Sequence, residues 1–141
     1  MLEKAMILAA KGHRGQMDKG GQPYILHPVR VMLQCRTMEE KTVAMLHDLL
    51  EDTDYTEQDL KAEGFSDAVV AAVVCLTKAE GEDYAEYIER ICENKLAARV
   101  KLADLMDNMD LNRLPGLTPK DFQRLEKYLR AKMRVEQALG E

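Results

Sequence analysis

The chain is poor in residues that staple or ligate, with 3 cysteines and 3 histidines among 141 residues. The cysteines, Cys35, Cys75 and Cys92, are odd in number and widely spaced, so they suggest neither a disulfide scheme nor a zinc knuckle. Each lies in an apolar helical context and reads as a small buried residue in a reducing compartment. Positive charge is also in deficit. The balance of 20 Lys and Arg against 25 Asp and Glu, net −5, argues against a nucleic-acid-binding surface as the main function. It leaves room for a local basic pocket that takes a phosphorylated small molecule. No run is apolar and long enough to cross a bilayer, and the opening Met1 to Met6 lacks the cationic and apolar regions of a signal peptide. These absences predict a cytoplasmic protein with neither membrane nor nucleic acid among its partners. Repeats, low-complexity tracts and interdomain linkers are missing as well. Residues 1–141 therefore read as one domain, large enough to bury a core without disulfide or zinc staples.

What is present is helical periodicity, nearly throughout. A first helix runs from Leu2 to about His13, and a loop rich in Gly and polar residues follows, from Gly15 to Pro23. A second helix begins near His27-Pro28, with proline in the first turn. Thr37 and Glu40 form a capping-box pattern that opens a third helix, predicted to run on to Asp52. Thr56 with Asp59 caps a short helix that stops at Gly64, and Ser66 caps the next, Asp67 to about Leu76. The β-branched Val69, Val70, Val73 and Val74 would suit a strand, but the wide apolar face predicts a buried helix. Further helices are expected over Tyr84–Cys92, from Lys95 to about Leu111, and from Thr118-Pro119 to a cap near Gly140. The fold class is all-α, a bundle of roughly six to eight helices.

The stretch Ala44-Met45-Leu46-His47-Asp48-Leu49-Leu50-Glu51-Asp52-Thr53 organises the rest. On a helix of about 3.6 residues per turn, His47, Asp48, Glu51 and Asp52 crowd one patch between apolar residues. Carboxylates this close repel one another and lose hydration, so they call for a cation or a proton. A solvated acidic helix end is the alternative, and the interleaved Met45, Leu46, Leu49 and Leu50 speak against it. A metal site is the expectation. Other imidazoles are few: His13 ends the first helix, and His27 precedes a proline. Asp104, in Val100-Lys101-Leu102-Ala103-Asp104-Leu105, is a carboxylate in a mostly apolar run, with Asn108 one turn on. Spacing alone does not select it.

The ordered set His13-Arg14-Gly15-Gln16, Pro23-Tyr24-Ile25-Leu26-His27-Pro28, Leu46-His47-Asp48-Leu49-Leu50-Glu51-Asp52-Thr53, Thr77-Lys78 and Lys101-Leu102-Ala103-Asp104 with Asn108 resembles the HD-domain phosphohydrolases. Within them it is similar to the alarmone hydrolase domain of RelA/SpoT-type proteins and to the small alarmone hydrolases, over about residues 3 to 114. The resemblance implies a compact HD-domain helical bundle and one bound divalent ion, usually Mn²⁺, with other divalent metals possible. It implies ligands at His13, His47, Asp48 and Asp104, and a catalytic acidic pair at Glu51 and Asp52 with an amide at Asn108. The implied reaction is hydrolysis of the 3′-pyrophosphate of guanosine tetra- and pentaphosphate, which makes a phosphorylated purine nucleotide the expected partner. A mixed nitrogen and oxygen donor set suits an octahedral ion of this kind. His27 reads as a hydrogen-bonded structural histidine and is left out of the ligand set. Tyr24 either walls the substrate pocket or packs under it; Lys19 either contacts phosphate or base or is a solvated loop lysine.

The chain departs from the family pattern at four places. Asp18, Leu105 and Asp110 stand where that pattern carries arginine, and Asp107 stands where it carries histidine. Aspartate neither stacks on a base nor clamps phosphate in two-pronged fashion. Weaker hydrolysis of the guanosine alarmone is therefore expected. An HD hydrolase for another nucleotide, and a metal-stabilised nucleotide-binding module without turnover, are the alternatives. The Glu51-Asp52 pair favours an enzyme.

Overall fold

Side-chain caps set most of the helix starts. Reciprocal capping boxes pair Thr37 with Glu40, Thr56 with Asp59 and Thr118 with Asp121, while Ser66 and Asn94 accept from backbone amides one turn on. The computed structural model describes residues 1–140. Its regular elements are α1 (Leu2–Gly12), α2 (Leu26–Gln34), α3 (Met38–Leu46), α4 (Leu49–Asp52), α5 (Glu57–Ala62), α6 (Asp67–Cys75), α7 (Tyr84–Cys92), α8 (Lys95–Asn108) and α9 (Pro119–Leu139). A 3-10 turn, Leu111–Arg113, joins α8 to α9. The valine-rich run is the helix α6, and the class is all-α as expected. The only β-type pairing among the described residues is a bridge between Met17 and Pro23 that pinches the loop after α1.

The central element is α3, whose Val43, Ala44 and Leu46 are wholly buried. It packs against α1, α2, α8 and α6, while α9 packs against α7 and α8. The buried apolar side chains form one cluster, to which α8 adds Ala97, Ala98, Val100 and Leu105. Three polar residues of α8, Lys101, Asp104 and Asp107, are buried as well. Burial of that kind needs partners.

The third helix differs from the expectation. It breaks at His47-Asp48 instead of running to Asp52. The His47 ring nitrogen Nδ1 lies 2.6 Å from the Ala44 carbonyl oxygen, the acceptor that a continuous helix would offer to the Asp48 amide. Asp48 sits at φ −101°, ψ −2°, and the ladder restarts with its own carbonyl, which accepts from the Asp52 amide at 2.9 Å. The end of α1 closes on α4 from below. A Cβ on Gly12 would stand 2.7 Å from Leu49 Cδ2 and 3.1 Å from Thr53 Cγ2, so a larger residue would push those side chains aside.

Candidate metal centre and its pocket

The break puts His47 and Asp48 at the floor of a cavity of about 640 Å³ lined by side chains from α2, α4, α7, α8, α9 and the loops between them. Facing them is α2, whose first turn carries His27, and α8, which carries Asp104. Among the described residues, one donor atom each from His27, His47 and Asp104 lies within 4.8 Å of the others, and all three residues are buried. His27 Nε2 is 2.9 Å from Asp104 Oδ1 and 3.6 Å from Asp48 Oδ2. His47 Nε2 is 3.1 Å from Asp48 Oδ2 and 3.4 Å from Asp104 Oδ1. Despite that closeness His47 Nε2 makes no directional hydrogen bond.

The far side of each ring explains its orientation. A carbonyl only accepts, so His47 Nδ1 carries the proton shared with Ala44 and turns Nε2 toward the centre. On α2, His27 Nδ1 lies 2.7 Å from Asp107 Oδ2, and its Nε2 likewise faces inward. Tyr24 donates its hydroxyl to Asp48 Oδ2, Lys101 Nζ donates to Asp104 Oδ2 at 2.9 Å, and Asn108 Nδ2 donates to Asp104 Oδ1 at 3.2 Å. Two imidazoles and two carboxylates thus converge, each held by a further hydrogen bond, which is the donor chemistry of a divalent cation site.

Electrostatics agrees. Burial disfavours charge on His47, but the carboxylates of Asp48 and Asp104 hold its pKa well above the ordinary imidazole value. Burial works the same way on His27, where hydrogen bonds to Asp104 and Asp107 prevail and raise it to about 8. Burial would raise Asp48, yet the charge of His47 brings it down to about 2. Burial would raise Asp104 too, and Lys101 with both histidines holds it well below the ordinary range. The site is built for positive charge at its centre.

The other expected residues fall around this floor. His13 stands outside the converging set: its Nδ1 is 2.9 Å from Gln16 Oε1, its ring packs on Tyr24 at 5.0 Å between centroids, and its buried Nε2 has no partner. Glu51 and Asp52 line the cavity. The Glu51 carboxylate accepts the Lys78 amide at 3.0 Å. Burial and the nearby charges of Asp48 and Glu51 push Asp52 up to about 6. Lys19 also lines the cavity, and its loop is shaped by Asp18, whose Oδ1 accepts from the Gly20 and Gln22 amides, both at 2.9 Å.

Two features lay beyond the sequence reading. His27, taken there as structural, is part of the central cluster, since an imidazole before a proline carries no mark of what lies across from it. The second is the last helix, which brings Arg124, Leu125, Lys127 and Tyr128 to the cavity wall. Burial lowers the Lys127 pKa, and the charges of Lys101, Arg124, Lys19 and Lys78 lower it further. Its ammonium lies 4.6 Å from the centre of the Tyr84 ring and 5.2 Å from that of Tyr128. Cations that crowd one another above an acidic, ion-seeking floor suit a polyanion that bridges the two.

Known proteins match this architecture. A solved structure described as a metazoan ortholog of SpoT that hydrolyses ppGpp superposes with a TM-score of 0.75 at 24% identity, covering 95% of this chain and 84% of its own. The fold is that of an HD domain. By sequence, the chain is 34% identical over 120 residues to the guanosine-3′,5′-bis(diphosphate) 3′-pyrophosphohydrolase of Aquifex aeolicus, covering 77% of the chain and 17% of the relative. It is also 34% identical over 121 residues to the GTP pyrophosphokinase of Streptomyces coelicolor, covering 77% of the chain and 14% of the relative. The chain thus spans less than a fifth of the length of either relative. No family model matches the chain. Among the described residues, no helix is long and apolar enough to cross a membrane.

Proposed function

We propose that this chain is a metal-dependent phosphohydrolase that removes pyrophosphate from the 3′ position of a guanosine alarmone, with residues 1–141 acting as one domain. The observation that carries the reading is the convergence of His27, His47, Asp48 and Asp104 beneath a cationic wall. The relatives' names and the fold match support the same chemistry.

The four donors fit a divalent ion, Mn²⁺ in this proposal, because the buried His47 Nε2 faces carboxylates with no hydrogen-bond partner and His27 Nε2 lies 2.9 Å from Asp104 Oδ1. When bound, such an ion supplies Lewis acidity to a phosphoryl oxygen and lowers the pKa of water. The chain's own residues do the rest. Tyr24, Lys101 and Asn108 fix the carboxylates of Asp48 and Asp104 through hydrogen bonds, so they form the brace of the floor. Glu51 and Asp52 stand beside it as the acid–base pair, with Glu51 steadied by the Lys78 amide. Lys19, Arg124 and Lys127 bind the phosphates, and Tyr84 and Tyr128 offer ring faces to a base.

Asp18 and Asp110 are less hostile to an anion than their charge suggests. Asp18 is engaged with the amides of its own loop, and Asp110 accepts the Asn112 amide and pairs with Arg113 at 3.0 Å. The positive charge that the family pattern places in those segments is offered here by α9. The test is kcat/KM over guanosine tetraphosphate, its adenosine counterpart and nicotinamide dinucleotide phosphates with added Mn²⁺. Pyrophosphate release fastest from the guanosine compound is expected; turnover of none of them overturns the proposal.

A further inference from the structure

The inner face of His27 belongs to the metal reading above; its outer face poses a separate question. Asp104 and Asp107 are one helical turn apart on α8 and grip the two nitrogens of the His27 ring, Nε2 to Asp104 Oδ1 at 2.9 Å and Nδ1 to Asp107 Oδ2 at 2.7 Å. His27 and Arg30 are likewise one turn apart, on α2. Arg30 closes on Asp107 with Nε to Oδ1 at 2.8 Å and Nη2 to Oδ2 at 3.2 Å. From the 3-10 turn, Arg113 Nη2 donates to the Asp107 carbonyl at 3.0 Å and reaches Oδ2 at 3.4 Å. Asp107 is only 4% exposed. Its Oδ2 has three neighbours, and the nearest is the imidazole.

We propose that Asp107, pinned by Arg30 and Arg113, is a positioning residue that fixes His27 as a metal ligand. The inference rests on the metal site proposed above. An ionised carboxylate can only accept, so the proton of a neutral His27 must sit on Nδ1, which leaves the Nε2 lone pair for the ion. The two guanidiniums hold the carboxylate at fixed distance and balance its charge, so the ring cannot swing away or flip. An ion pair that merely joined α2 to α8 would need Arg30 and Asp107 alone. The imidazole at the shortest distance is what that role leaves unexplained.

The experiment is Co²⁺ titration, read by visible absorption and by affinity, on wild type, Asp107→Ala, Asp107→Asn and Arg30→Gln, with the melting temperature of each metal-free protein measured beside it. Asp107→Ala is expected to weaken Co²⁺ binding by about 10- to 100-fold and to alter the visible bands. Asp107→Asn keeps the shape and one acceptor oxygen, so a smaller loss is expected, and it carries the test should the alanine variant not fold. Arg30→Gln, which leaves the His27 contact but loosens its support, should fall between wild type and Asp107→Ala. Variants that bind Co²⁺ with wild-type affinity and spectrum, whatever their melting temperatures, overturn the positioning role alone. A wild-type protein that takes up no Co²⁺ overturns the metal reading and this inference with it.

Discussion

At the scale of single residues, His27 lies in the cluster with His47 and Asp104, and His13 is paired with Gln16. His27→Ala removes a nitrogen 2.9 Å from Asp104 Oδ1, whereas His13→Ala removes one paired only with Gln16. Calorimetric Mn²⁺ titration should show the first variant losing most of its affinity and the second retaining it. Equal losses would put His13 in the ligand set after all. Glu51→Gln is the complementary test, since Glu51 lines the cavity without touching the four donors. It should bind metal normally and lose turnover by about a hundredfold or more, because an amide cannot take a proton. A variant of full activity would move that role to Asp52. His47, Asp48 and Asp104 were legible from the chain because a motif marks them. Asp107 was visible only as a departure from a pattern, since its partner His27 lies 80 residues away.

At the scale of elements, capping boxes announced α3, α5 and α9 in the sequence, and those starts fell where side chain and backbone pair. The break between α3 and α4 had no such signal. It depends on a ring nitrogen reaching a carbonyl, and periodicity carries no information about that competition. The segment between α6 and α7 bears on function because it presents Lys78 to the cavity and the Lys78 amide to Glu51. It is held by Arg90, which donates to the Cys75 and Thr77 carbonyls and forms a two-pronged pair with Glu82. The Arg90 hydrogen bonds, with help from the Ala79 amide, pull the Glu82 carboxyl from 4.5 down to about 2. A depressed carboxyl stabilises the fold above its unfolded pKa and loses that contribution as pH falls through its folded value. Wild type should therefore melt higher than Glu82→Gln at pH 6, and the gap should close between about pH 4.5 and 2. A gap independent of pH would mean that packing, and not charge, accounts for it.

At the scale of the whole molecule, the floor and the wall of the cavity come from different stretches of chain. The floor uses residues 27 to 104, and the wall borrows Arg124, Lys127 and Tyr128 from α9. Charged residues on an amphipathic last helix look like a solvated face, so periodicity and composition do not single them out. Arg124→Ala and Lys127→Ala should each raise KM for a nucleotide tetraphosphate, by about tenfold for a lost charge-assisted contact of roughly 1.5 kcal/mol, and leave Mn²⁺ affinity unchanged. Loss of metal along with substrate would show the two layers to be one unit. The floor in turn joins α2, the break between α3 and α4, and α8 through His27, His47, Asp48 and Asp104. Mn²⁺ at a hundred times its dissociation constant should stabilise the fold by about 2.7 kcal/mol, and a chelator should reverse the rise in melting temperature. Scanning calorimetry with and without chelator checks this, and coincident transitions would show that no ion binds.

The layered cavity also bears on how this chain can change under selection. Lys19, Lys78, Arg124 and Lys127 line the wall, and none of them belongs to the buried core. Exchanging Lys19, Lys78 or Lys127 leaves no cavity, so the stability threshold that culls most substitutions hardly applies there, whereas Arg124 is paired with the buried Asp121 and is less free to change. Any change among His27, His47, Asp48 and Asp104 strands a charge in the interior. Descendants of such a chain are free to explore new phosphorylated substrates one surface residue at a time, while the reaction they run stays the same.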